Sequence, residues 1–211
     1  MLYDGGQATE AYSKMFRFLF GLVVGVVAVP LAVLAWFSYG KVPVAVTDKP
    51  FPYERELTSV PLNTRIHEEM MGTHLQADEN TLIAGARVYT EQCAVCHGVN
   101  GKPSAIGAHM FPGVPQLMEK HHNGDVVGVS DDPPGETYWK VANGIRLTGM
   151  PSFRTLLSDD QMWQVSILLA NANKPMPPAA LDILRRAPAP PAAAATPAAP
   201  ASAAPAAPQE P

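Results

Sequence analysis

The spacing of apolar and polar positions divides this chain into five stretches. Residues 1–15 are mostly polar. From Phe16 to Phe37 every position except Arg17 is apolar or small. A run of about 20 such residues crosses a bilayer as a helix, so 16–38 is expected to be a transmembrane anchor. Trp36 and Tyr39 stand at its far end, where amphipathic rings favour the interface. Arg17 can snorkel at the near end, and Pro30 is tolerated inside a membrane helix. A cleaved signal peptide is the alternative, with Val33-Leu34-Ala35 near a plausible cleavage site. The apolar run is longer than an ordinary signal core, which favours a retained anchor.

Residues 39–77 carry Pro43, Pro50, Pro52 and Pro61 and read as an extended linker. Within it Asn63 can cap a short helix to Met71. Residues 78–174 have the periodicity of a compact helical domain. Asp78 is placed to cap a helix running to about Cys93, with Leu82, Gly85, Tyr89, Cys93 and Cys96 on one face. Ser158-x-x-Gln161 is a capping-box pattern opening an apolar helix that carries Trp163 and Ile167 and ends near Ala172. A short helix lies between, Glu136 to Ala142, stopped by Asn143-Gly144. From 175 to 211 the chain is Pro/Ala-rich and is expected to be a disordered tail, either a free end or a partner-binding strand. Leu181–Arg186 is its one amphipathic turn.

The chemistry concentrates at Cys93-Ala94-Val95-Cys96-His97, a C-x-x-C-H pentapeptide that uses both cysteines of the chain. The spacing suits covalent attachment of one c-type haem. Two thiols three positions apart reach two vinyl groups, and the adjoining His97 lies under the ring to ligate iron. A dithiol redox pair would sit near a βαβ pattern, and none is visible. A closed zinc site needs four ligands, and the adjacent His121 and His122 are poorly spaced to supply two.

With these residues in place, 78–174 resembles a class I cytochrome c. Gly85 and Tyr89 match that family's helix-crossing pair, and Trp163 is similar to the aromatic on its C-terminal helix. The resemblance implies an all-α fold, helices packed around one covalently bound haem. It implies Met150, in Thr148-Gly149-Met150-Pro151, as distal iron ligand opposite His97. Met110, Met118, His109, His121 and His122 are its rivals. It also implies that the Pro115 carbonyl receives the proximal imidazole N–H, with Pro112 as the alternative. Arg146 is a candidate partner for a haem propionate, or an exposed loop arginine. Tyr138 and Trp139 are candidates for the propionate edge, or core. His121–Asp132 reads as an insertion relative to the family's minimal members.

Charge adds little. The chain carries a formal charge of −4, and nothing points to nucleic acid. The haem segment is net acidic, which predicts a neutral or basic partner surface. Two protein ligands on iron leave no open position for a small-molecule substrate. The resemblance therefore implies single-electron transfer between redox proteins, with no catalytic residue. It places the haem domain on the periplasmic side of a bacterial inner membrane. The partner is expected to be a multi-subunit respiratory complex, either quinol-oxidising (such as alternative complex III) or a terminal oxidase. An independent tethered shuttle is the alternative.

Overall fold

The structure, a computed structural model, describes residues 5–186 except 100 and 123, and the side chains from 12 onward. The expected tail beyond 186 and residues 1–4 lie outside the described residues. The described fold is all-α. The chain divides into two compact units, 1–56 and 57–211.

The first unit is built on α1, Gly5–Tyr39. Its stretch Tyr12–Tyr39 is long and apolar enough to cross a membrane. Pro30 sits inside this helix without ending it. After α1 the chain turns at Ala45–Asp48, where the Asp48 carboxylate accepts from the backbone N–H groups of Val44 and Ala45, both at 2.9 Å.

A 16-residue helix then stands within the stretch expected to be extended. It is α2, Glu54–Glu69, and it runs through Pro61. Acidic Glu54 and Glu56 in its first turn suit the helix dipole. Glu54 also accepts from the Phe51 N–H at 2.9 Å. Pro50 and Pro52 stand before the helix, and Pro61 removes only one donor. Ile66 is buried, 2% exposed. The expected cap at Asn63 therefore lies mid-helix.

The second unit continues with α3, Glu79–Val88, which Asp78 caps by accepting from Thr81 N–H at 2.8 Å. The helix expected to reach Cys93 changes pitch before it. Tyr89–Cys93 form one wider π-helical turn, and α4, Ala94–His97, follows. A 3-10 turn covers Gly107–His109. Helices α5, Pro134–Asn143, and α6, Asp159–Ala170, complete the bundle. Ser158 and Gln161 form a full capping box at the start of α6.

The core lies where α3 and α5 pack on α6. Gly85 makes the α3–α6 crossing possible. A Cβ there would sit 2.3 Å from the Gln164 carbonyl oxygen. Tyr138 stacks on Trp163 with ring centroids 4.1 Å apart. A further helix, α7, Pro178–Arg185, packs on α3 through buried Ala180 and Leu184. The bundle thus extends into the stretch expected to be tail. The insertion 121–132 begins as a small hairpin, with Lys120 bridged to Val127 and paired with Asp125. His121 and His122 are exposed on it.

Candidate functional site

Cys93, Cys96 and His97 lie on consecutive turns where the π-helical segment passes into α4. Both cysteines are partly buried. Burial pushes the Cys93 thiol up to about 12, with Cys96 beside it adding to the shift.

His97 is held at its ring. Its Nδ1 lies 2.8 Å from the Pro115 carbonyl, so this nitrogen carries the proton as donor. Burial lowers the His97 pKa, against the opposing effect of the Pro115 bond. The imidazole is therefore neutral, with Nε2 as its lone-pair nitrogen, the state that ligates a metal. Pro112, the other candidate, follows a cis peptide bond with Phe111.

The backbone around the motif is also tied. The buried Tyr89 hydroxyl donates to the Gly98 carbonyl at 2.8 Å. Gly98 adopts φ of 72°, and a Cβ there would meet the Lys102 carbonyl oxygen at 1.9 Å. The Ser104 hydroxyl donates to the Cys96 carbonyl at 3.0 Å. Neither Tyr89 nor Ser104 was singled out for this role in the sequence. Tyr89 showed only as an aromatic at a helix crossing, and Ser104 carries no motif.

Met150 closes a tight loop. The Ile145 N–H donates to the Met150 carbonyl at 3.2 Å, and the Met150 N–H donates to Thr148 Oγ1 at 3.1 Å. Gly144, at φ of 69°, lets the end of α5 lie against Pro151 and Ser152. The Ser152 hydroxyl donates to the Ala142 carbonyl and the Phe153 N–H to Val141. The loop is thereby fastened to α5. Met150 is half-buried, and Arg146 is exposed on the same loop.

The two rival methionines part company. Met110 reaches this loop, since a Cβ on Gly149 would lie 2.0 Å from its Cε. Met118 instead lines a separate cavity with Tyr89, Val99 and Met176. The expected edge residues have other commitments. The Tyr138 hydroxyl donates to Asp159. The Trp139 indole N–H donates to Glu69 of α2 at 2.8 Å. Both rings are buried, and these bonds tie them to α6 and α2. They serve packing and the α2 contact.

The donor set fits a covalently attached haem. Two thiols stand three positions apart, and the neighbouring imidazole has Nδ1 engaged and Nε2 as its remaining nitrogen.

A family match agrees with this chemistry. Residues 80–167, rather less than half of the chain, match the family described as cytochrome C oxidase, cbb3-type, subunit III. No curated protein matches the chain significantly. Among solved structures, it is similar to the reducing HAO-like protein complex of Kuenenia stuttgartiensis, at 24% identity and a TM-score of 0.38. That match covers 65% of this chain and 54% of the other, so this chain spans about half the length of its match. The family match spans the whole C-x-x-C-H motif, which entails covalently bound haem c and electron transfer. The segment that carries Cys93, Cys96 and His97 is a c-type cytochrome domain.

Proposed function

We propose that this chain carries a single haem c through Cys93 and Cys96 and passes electrons as a fixed subunit of a respiratory membrane complex. When bound, haem c supplies the one-electron Fe(III)/Fe(II) couple. His97 serves as proximal ligand through Nε2, with Pro115 fixing its tautomer and ring direction. Met150 serves as distal ligand. A thioether is a soft neutral donor that favours the ferrous state and raises the potential. Arg146, exposed on the Met150 loop, is the side chain offered to a propionate.

α1 anchors the chain in the bacterial inner membrane, and the haem domain faces the periplasm, where thioether attachment takes place. The haem domain begins with its preceding segment. Arg65 bonds Glu69 at 2.8 Å, and Glu69 in turn accepts from Trp139. The Met71 carbonyl lies against Gly135, where a Cβ would approach to 2.2 Å. His74 Nε2 is 3.0 Å from Asp160. Residues 65–74 of the stretch that would serve a shuttle as a tether are thus folded onto the domain.

This packing of residues 65–74 is the observation that carries the subunit reading. The name of the matched family makes a terminal oxidase one candidate complex, and a quinol-oxidising complex (such as alternative complex III) is the other. An independent tethered shuttle is the second reading, favoured by the single C-x-x-C-H motif. The test is purification in mild detergent, read by haem spectrum and mass spectrometry together. A fixed subunit emerges with oxidase or quinol-oxidising chains. A shuttle emerges alone, and absence of covalent haem overturns both readings.

A further inference from the structure

We propose that Ser104 is a positioning residue for His97, acting through the peptide that joins it to Cys96. The inference rests on the haem reading above. The last carbonyls of a helix have no intrahelical N–H partner, and α4 ends at His97. The Cys96 carbonyl is one of these, and Ser104 Oγ donates to it at 3.0 Å. The same Oγ accepts from the Gly107 N–H at 2.8 Å. Gly107 itself approaches so closely that a Cβ would lie 2.1 Å from the Cys96 oxygen. The carbonyl is therefore held by a hydroxyl and flanked by backbone that admits no side chain.

That oxygen belongs to the peptide unit whose nitrogen is His97's own. A peptide is planar, so holding the oxygen sets the direction in which His97 leaves the main chain. At the far end of the residue, Pro115 holds Nδ1 at 2.8 Å. Just beyond it, the Tyr89 hydroxyl holds the Gly98 carbonyl at 2.8 Å. His97 is fixed at the backbone by Ser104 and at the ring by Pro115. With the Cys96 carbonyl released, only the Pro115 and Tyr89–Gly98 bonds would hold His97, and its imidazole would gain a second accessible orientation.

The test uses the full-length, detergent-purified protein with Ser104→Ala, Ser104→Thr and Ser104→Cys. The readouts are thioether count by mass, the low-spin ferric electron paramagnetic resonance signal, the reduction potential and the thermal midpoint. Ser104→Ala is expected to keep both thioethers, to add a second low-spin species and to shift the potential. Ser104→Thr, which keeps the hydroxyl, is expected to restore the single species. If Ser104→Ala does not accumulate, Ser104→Cys carries the same expectation, being of similar size with a weak donor. A lowered thermal midpoint with one wild-type low-spin signal and an unshifted potential would overturn the inference, leaving Ser104 a loop brace. Wild-type protein without haem would instead bring down the haem reading itself.

Discussion

Trp139 and Glu69 share a hydrogen bond of 2.8 Å that joins α2, outside the family-matched segment, to α5 within it. Arg65 stands beside both, bonded to Glu69 at 2.8 Å and 6.0 Å from the Trp139 ring. Glu69 is held below its ordinary pKa, first by Arg65 and then by Trp139.

A carboxylate depressed in the folded state adds stability that is complete above its unfolded pKa. That contribution is lost as pH falls through the lower folded value. The α2 contact is therefore expected to loosen in acid, below about pH 4.5. Glu69→Gln should remove the part of this acid sensitivity due to Glu69. Hydrogen exchange across 57–77, followed from pH 6 to pH 3, checks it. Equal pH response in the wild type and the variant would exclude Glu69 as the group responsible.

Gly85→Ala should open the α3–α6 crossing. The added methyl would meet the Gln164 carbonyl at 2.3 Å and Leu168 Cβ at 2.9 Å. Overpacking of this kind costs about 1–3 kcal/mol, to be read as a lowered denaturant midpoint. A stability equal to wild type would mean that the helices separate without cost.

Tyr89→Phe should leave the Gly98 carbonyl without its donor in a buried setting. Tyr89 is 0% exposed, and burial raises its pKa, so the phenol keeps its proton as donor. The loss should be about 1–3 kcal/mol, with thioether attachment unchanged. Chemical denaturation of the holoprotein, with mass measured in parallel, separates the two.

Met150→Ala should open the distal position and give high-spin character. Met150→His should stay low-spin at a lower potential. The optical spectrum decides. An unchanged spectrum in Met150→Ala would transfer the ligand role elsewhere, and Met110 beside Gly149 is the first residue to replace next. Cys93→Ala or Cys96→Ala should leave at most one thioether and shift the haem absorption band.

The helices of the domain were legible because local chemistry and periodicity agree there. Asp78 caps α3, Ser158 and Gln161 cap α6, and Asn143-Gly144 ends α5. Three features left weaker marks. α2 reads as a proline-rich linker because Ile66 is its only buried residue, and its partner Trp139 lies 70 positions away. α7 looks like the start of a tail, since its hold on α3 comes from two side chains, Ala180 and Leu184, amid alanine and proline. The π-helical turn at Tyr89–Cys93 follows an uninterrupted apolar period, so periodicity carries the expected helix straight through it. At the site, the C-x-x-C-H residues announce their chemistry by type and spacing. Ser104 does not, because a serine bonded to a main-chain oxygen leaves no pattern in sequence.

The extent of α2 sets a leash. Only residues 40–53 separate the end of α1 from the start of α2, a span of about 50 Å at full extension. Were α1 held in a membrane, the domain joined to it would stay within a hemisphere of about that radius, at a local concentration on the order of millimolar. An acceptor site within reach of that leash would be served without free diffusion. One beyond the combined length of that leash and the domain it carries could not be reached, however strong its affinity.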